Sequence, residues 1–465
     1  GTKMIFEVDN EMEMFVQDTR ALVVGAGVSG LAAAKLLNMI GTSVTLADNK
    51  PKEALPKGLF ELEKEGVEIL TGGMPQEVAC YNFAVISPGV PLNVPVMQAL
   101  KAARVPVISE LELAYLYTET PFVAITGTNG KTTTTALVGH ILKTAGKEAF
   151  VGGNIGVPLT GNLSEISTNG YIVAEVSSFQ LETVHHFAPQ VAAILNLTPD
   201  HLDRHGDMAG YIAAKARIFA NQEKSDFLVL NHDDEKVREL AEEAKAQVVF
   251  FSRTHKLEHG FWVSDNKIIW QKGPKTINII DIDEIYIKGG HNVENALAAC
   301  AVSASLGIKA EQMAEALKTF KGVAHRQEFV ATKRGVKYIN DSKGTNPDST
   351  KQAILAYQEP MVLILGGRNK GSKFDELLPV MKNHVKSVVL VGEARDEIKA
   401  CLEANDFTDI REAGNDFNKA VELAAEAAVA GDVVMLSPAC ASWDMFKCFE
   451  DRGDLFKKLV LALPD

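Results

Sequence analysis

The run 127–135, GTNGKTTTT, has the residue types and spacing to hold a phosphate chain. It follows a short apolar, β-branched stretch at 122–125, which reads as a buried parallel strand. Gly127-Thr128-Asn129-Gly130 reads as a tight turn, and Lys131, Thr132 and Thr133 open a helix. A strand, a glycine-punctuated turn and a helix start aim unpaired backbone N–H groups and the positive end of a helix dipole at an anion. Lys131 suits the β/γ-phosphates of ATP or GTP, and the Thr132 hydroxyl suits Mg²⁺. The pattern is G-x-x-G-K-T, with Ile125 where the usual phosphate loop has an earlier glycine. The competing reading is an ordinary strand–turn–helix corner with a surface lysine.

Other residues could share that chemistry. Glu175 lies among apolar neighbours in IVAEVSSFQLE, where a carboxylate needs a cation or a proton. Asp200-His201-Leu-Asp203-Arg-His205 follows an apolar strand and could bind a metal or act in catalysis. Lys215 is a single lysine in an alanine-rich helix, which by itself reads as solvated. Asn292 and Asn295, three apart, share a helix face. Nearer the N-terminus, Gly25-Ala-Gly27-Val-Ser29-Gly30 stands between a strand and a helix, with Asp48 closing the next strand. That is the G-x-G-x-x-G dinucleotide fingerprint, which favours NAD or FAD. Another ligand with a diphosphate and a ribose satisfies the same physics, and a glycine-rich corner without a ligand is the bland reading.

The elements that position these residues alternate between strand and helix. Strands are expected at 21–24, 44–47, 67–70, 83–86 and 105–108, then at 122–125, 171–176, 191–197 and 227–231. The stretch 150–156 reads as a turn, 247–288 as β-structure, and 5–18 carries no assignment. A last group of strands is expected at 329–332, 337–340, 361–365, 388–391 and 433–436. Three of these strands end in polar or glycine-rich loops, where open α/β sheets bind ligands. The 465-residue length suggests three domains. They are placed at 1–112, 113–321 and 322–465, giving an α/β fold with a Rossmann-like first domain, a central phosphate-loop ATPase domain and a Rossmann-like third domain. The net charge of −13 disfavours a general nucleic-acid or anionic-membrane role. Five scattered cysteines fit a reducing cytoplasm. No apolar run has the length of a membrane span, and a monomer is the default.

GTNGKTTTT, Glu175, the 200–205 cluster, Lys215, HNVEN, HRQE and NDSKGTNP occur in one order that resembles the ATP-dependent Mur ligases of peptidoglycan synthesis. The resemblance runs from about residue 20 to the C-terminus. GAGVSG, DSKGTNPDST and LSPACASWDMF resemble the branch that adds D-glutamate to UDP-N-acetylmuramoyl-L-alanine. The resemblance replaces NAD by UDP in the first domain, with Ser29, Asp48, Asn49, Ser87 and Gly89 at uridine and diphosphate positions. It implies carboxylate activation by ATP to an acyl phosphate, which the amine of D-glutamate then attacks. Lys131 would hold phosphates, Thr132 and Glu175 one Mg²⁺, and Glu175 and His201 a second. Lys215 would carry a CO₂-derived carbamate beside that second ion. Asn154 would face the acyl phosphate. Asn292, Asn295, His325, Arg326 and Asp341 would serve the nucleotide, and Lys343, Thr345, Lys370, Ser442 and Phe449 the D-glutamate.

Overall fold

Three of the four sheets among the described residues carry the fold, and each of the three is built around strands whose residues are buried throughout. A computed structural model describes residues 4–8, 11–15, 19–56, 58–88, 90–153, 157–198, 207–369 and 371–465. His201 and the rest of the 200–205 cluster, Asn154, Gly89 and Lys370 lie outside the described residues. Much of the stretch 5–18, whose mixed and acidic sequence carries no clear signal, lies in two strands paired antiparallel, Met4–Val8 and Glu11–Phe15.

The first sheet is all parallel. Its order is Glu68–Thr71, Ser43–Asp48, Arg20–Val24, Phe83–Ile86, Val107–Ser109. In chain order this is 3-2-1-4-5, the order of a doubly wound nucleotide fold. Its topological switch point lies between Arg20–Val24 and Phe83–Ile86, so the loop 25–30 and the loop starting at Ser87 meet there. Helix Val28–Met39 begins earlier than the apolar run suggests, because the fingerprint loop is also its first turn. Gly30 is obligatory: a Cβ there would sit 1.8 Å from the Gly25 carbonyl oxygen.

The central sheet has nine strands, with Phe122–Thr126 between Val191–Ile194 and Tyr171–Glu175, all parallel. Ala149–Gly153, expected as a turn, is the edge strand beside Tyr171–Glu175. Its two glycines disguise a strand whose register the pairing dictates. On the other side the sheet continues through Phe227–Asn231 and Gln247–Ser252 to an antiparallel ribbon of His259–Ser264, Lys267–Lys272 and Lys275–Asp281. One hydrophobic core runs beneath both of these sheets. Phe83, Phe122, Phe187 and Tyr211 are among its largest members, and Phe122 and Phe187 pack edge to face at 5.7 Å. Helix Glu110–Tyr117 ties the sheets together. The Glu110 carboxylate accepts from Thr160 N and Oγ1 at 2.9 and 3.0 Å, and Glu112 accepts from His186 N and Phe187 N at 2.5 and 3.2 Å. These two sheets thus lie in one compact unit, which also takes in Asn292–Phe320.

The second unit comprises Ile287–His291 and Lys321–Asp465. Its sheet runs Glu328–Lys333, Val336–Asn340, Val433–Leu436, Met361–Leu365, Val385–Leu390, Ile410–Glu412. Only the first pair is antiparallel. Apolar clusters cover both faces, as a parallel sheet requires.

Candidate active site

The strand Phe122–Thr126 delivers the loop 127–130 to the head of helix Lys131–Thr144. Gly130 caps that helix at φ +84°, and a Cβ on it would meet the Asn295 Oδ1 at 2.5 Å. Only glycine satisfies both the backbone and the space there. Asn196 brackets the turn from the neighbouring strand end: its Oδ1 accepts from Asn129 N at 2.8 Å and its Nδ2 donates to Asn129 O at 3.0 Å. Thr128 Oγ1 shares a 2.8 Å hydrogen bond with the Tyr211 hydroxyl and accepts from Thr198 N at 3.0 Å. The loop is therefore fixed by its neighbours before any ligand binds.

Within the loop two oxygens and two ammonium groups gather. The Thr132 hydroxyl donates to Glu175 Oε1 at 2.9 Å. Glu175 is 6% exposed, at the carboxyl end of its strand, and it pairs in register with Ile125. Lys131 Nζ donates to the Gly127 carbonyl at 2.8 Å, and Lys215 Nζ donates to the same carbonyl at 3.0 Å and to Thr126 Oγ1 at 2.9 Å. Lys215 is only 2% exposed, so the solvated reading of this lysine is corrected. Helix Met208–Ala216 turns it inward, and its Nζ lies 5.5 Å from the Tyr211 ring centre. Two cations on one carbonyl oxygen make a strongly positive spot, and Thr132 with Glu175 adds hard oxygen donors of the kind Mg²⁺ takes.

Asn292 and Asn295 do share a helix face: Asn295 Nδ2 donates to Asn292 Oδ1 at 3.2 Å. Asn295 Oδ1 in turn accepts from Thr134 Oγ1 at 3.1 Å, so this residue backs the phosphate loop. Thr133 is buried. Asn196, Tyr211 and Thr126 were missed from sequence. Tyr211 precedes Lys215 by one helical turn, a spacing that could have flagged it.

At the first sheet's switch point, Ser87 Oγ donates to Gly25 O at 3.2 Å. Asp48 Oδ2 accepts from Ala26 N and Oδ1 from Lys50 N, both at 2.8 Å, so this acid holds the glycine loop and the turn at Asn49. Ser29 hydrogen-bonds Glu110, whose carboxyl is pushed above its usual range by burial, against the hydrogen bonds from Thr160 and Ser29.

In the second unit the loop after Val336–Asn340 packs on the loop after Val433–Leu436. Asp341 is buried; its Oδ2 accepts from Ser437 Oγ at 2.6 Å and its Oδ1 from Gln327 N at 3.1 Å. Burial raises it to about 6, against the hydrogen bonds and the nearby Arg326 and Lys343 charges. His325 is buried with φ +66° and its Nδ1 is 2.9 Å from Asn340 Nδ2. Arg326 is half-buried beside it. Lys343 N donates to His325 O, and Thr345 N to Lys343 O, in a tight turn. Ser442 is buried, and its carbonyl accepts from Met445 N and Phe446 N. Arg452, also missed from sequence, pins both loops: its guanidinium donates to Ser342 Oγ, Ser342 O and Cys440 O at 3.0, 2.8 and 3.1 Å. Ser342 Oγ then donates to Phe449 O at 2.7 Å. Arg452 sits in a charged run, FEDRGD, that reads as solvated, so nothing in the sequence pointed to it.

Known proteins match along nearly the whole chain. The family models that match are the Mur ligase MurD-like N-terminal domain over residues 19–109, the Mur ligase middle domain over 125–303 and the Mur ligase glutamate ligase domain over 325–440. The chain is 50% identical over 446 residues to the UDP-N-acetylmuramoylalanine–D-glutamate ligase of Pelotomaculum thermopropionicum, covering 96% of this chain and 98% of that protein. It is 45% identical over 449 residues to the enzyme of the same name from Clostridioides difficile, covering 96% and 99%. Among solved structures, the UDP-N-acetylmuramate-alanine ligase MurC of Thermotoga maritima aligns with a TM-score of 0.58 at 21% identity, covering 96% of this chain and 99% of that one. A pseudomurein peptide ligase type C from Methanothermus fervidus aligns at 0.53 and 20%, covering 91% and 97%. These two structural likenesses speak for the fold.

Proposed function

The chain belongs to the Mur ligase family, and from that premise we infer that it is an ATP-dependent, amide-forming ligase that adds D-glutamate to UDP-N-acetylmuramoyl-L-alanine in peptidoglycan precursor synthesis. It uses ATP and Mg²⁺, as Mur ligases do. The observation that supports the mechanism best is the Thr132–Glu175 pair at 2.9 Å beside Lys131 at a helix head.

A carboxylate is a poor acyl donor, because it is anionic and has no good leaving group. Transfer of the γ-phosphoryl group from ATP to the alanyl carboxylate gives an acyl phosphate and ADP. The D-glutamate amine then attacks the carbonyl carbon, the C–O bond to phosphate breaks, and the amine's proton leaves as the amide forms. Lys131 and the N–H groups of loop 127–130 are proposed to hold the phosphates and orient them in line with the carboxylate. Thr132 and Glu175 are assigned to one Mg²⁺, and Glu175 and His201 to a second. When bound, these ions neutralise the charge that otherwise drives triphosphate and carboxylate apart.

Lys215 is proposed to carry a carbamate. Reaction of its amine with CO₂ removes one of the two positive charges at the Gly127 carbonyl and leaves an N–H to donate there. The new carboxylate is a hard ligand for the second ion. Labelled ¹³C-bicarbonate tests this directly: a carbamate resonance in the wild type that is absent in Lys215→Arg supports it, and identical spectra contradict it.

Three working domains, at 1–112, 113–321 and 322–465, are proposed for substrate, ATP and amino acid. Ser29, Asn49, Ser87, Gly89 and Asn154 are assigned to the UDP substrate, as is Asp48, which holds the glycine loop at Ala26 and the turn at Asn49. Asn292, Asn295, His325, Arg326 and Asp341 are assigned to the nucleotide, the buried ones as positioning groups. Lys343, Lys370, Thr345, Ser442 and Phe449 are assigned to D-glutamate, whose two carboxylates call for two cations and hydroxyl or backbone donors. The reaction is assigned to the cytoplasm, with the enzyme a monomer. No described helix is long and apolar enough to cross a membrane. Hydroxylamine tests the intermediate: with ATP and UDP-N-acetylmuramoyl-L-alanine but no D-glutamate, it should trap the activated carboxyl as a hydroxamate. No trapping by an enzyme that still forms product would refute the acyl phosphate.

A further inference from the structure

Farther along the carboxyl edge of the central sheet, two neighbouring parallel strands end in metal-ligating residues. Strand Phe227–Asn231 runs into His232 and Asp233, and strand Gln247–Ser252 into Arg253, Thr254 and His255. Asn231 is level with Phe251 in the ladder, and His232 N donates to Phe251 O at 2.8 Å, so the two loops start side by side. One imidazole nitrogen of each histidine and a carboxylate oxygen of Asp233 fall within 4.8 Å of one another.

Asp233 is fixed in place. Its Oδ1 accepts from Ser252 Oγ at 2.5 Å and lies 2.9 Å from His255 Nδ1, and its Oδ2 accepts from Arg253 N at 2.7 Å and Thr254 N at 3.2 Å. Burial works against its charge, but these hydrogen bonds win and hold it at about 2. A loop clamp alone explains Asp233 and His255. It does not explain His232, whose Nδ1 is buried and meets no hydrogen-bond partner.

We propose that His232, Asp233 and His255 form a binding site for a divalent cation of the zinc class, separate from the Mg²⁺ position at Thr132 and Glu175. Two imidazoles and one carboxylate, with water in the fourth place, make a zinc donor set. Mg²⁺ prefers oxygen ligands and keeps its waters, so the site selects against the ion the ligase reaction uses. The cation joins the ends of two strands, and the effect reaches further. Asn231 Nδ2 donates to Leu195 O at 2.9 Å and Asp234 Oδ2 accepts from Leu197 N at 2.8 Å, on either side of the Asn196 that brackets the phosphate loop. Occupancy thus braces a segment that the phosphate loop leans on.

The test uses the full chain, stripped with a chelator and titrated with Zn²⁺ in excess Mg²⁺ against a chromophoric zinc indicator. The wild type is compared with His232→Gln and His255→Gln. Loss of an outer-shell partner alone costs roughly 10–100-fold in metal affinity, so loss of either direct ligand is expected to cost at least about 100-fold. Substituting Co²⁺ should give the visible absorption of a four-coordinate N/O site in the wild type only. His255 is 59% exposed, so its variant keeps the fold, which the metal-free melting temperature checks. If His232→Gln unfolds, His255→Gln decides alone. Failure of the wild type to bind Zn²⁺ over Mg²⁺, or equal binding by folded variants, overturns the site. Neither outcome depends on which amino acid the ligase uses.

Discussion

A lysine in an alanine-rich helix looks solvated until the fold turns it inward. Lys215 is informative only through the placement of its Nζ on the Gly127 carbonyl beside Lys131. Thr132 was legible from its place after Gly130 and Lys131 in the phosphate-loop pattern, and Glu175 as an acid in an apolar strand. Thr132→Ala removes one hard oxygen and should lower kcat/KM by about 100-fold, the few kcal/mol that a misplaced ion costs a charged transition state. Thr132→Ser, which keeps the hydroxyl, should recover most of it, and steady-state kinetics with ATP varied checks both. Gly130→Ala should raise the KM for ATP about tenfold or more. Alanine at that left-handed φ costs about 1–2 kcal/mol, and its Cβ collides with Asn295 Oδ1. A normal KM would show that the loop tolerates the change.

Elements with clean periodicity were readable, and their companions were less so. The strands at 83–86, 227–231, 361–365 and 433–436 matched residue for residue, since each is a continuous apolar run bounded by turn residues. Ala149–Gly153 did not, because glycines break the apolar signal while the neighbouring strand supplies the pairing. Arg452 and Asn196 were invisible because their importance lies in which loops they bridge. Replacing Arg452 by Met leaves the buried Ser342 carbonyl without this donor and takes one hydrogen bond from the Cys440 carbonyl. At about 1–3 kcal/mol for an orphaned group, the second unit should melt several degrees lower, which differential scanning calorimetry reads. Asp341 carries a pH signature. Its folded pKa of about 6 lies above the usual 3.8, so between these values the folded state holds a proton the unfolded state has lost. Its contribution is therefore present below about pH 4 and is lost as pH rises toward 6, with a slope of at most about 1.4 kcal/mol for each step of one in pH. Asp341→Asn should flatten the fall in stability across that window, and an unchanged slope would exclude Asp341 as its source.

Across the whole molecule, the order of motifs carried more than any one of them. The glycine fingerprint by itself favoured a nicotinamide or flavin, and it was the resemblance of the whole ordered set of motifs to the Mur ligases that replaced this expectation by UDP. The chain's 96% coverage against relatives named as D-glutamate ligases supports the same substrate. The two sheets of the first unit are locked by Glu110 and Glu112, so Glu110→Ala should lower the unit's melting temperature by leaving Thr160 N without an acceptor. The most direct test of the assigned reaction is phosphate release from ATP with UDP-N-acetylmuramoyl-L-alanine, Mg²⁺ and bicarbonate, comparing D-glutamate with L-glutamate, L-alanine, L-lysine and no amino acid. Release with D-glutamate alone, and a product heavier by one glutamyl residue, is the expected result. Release with another amino acid, or with none of them, would contradict it.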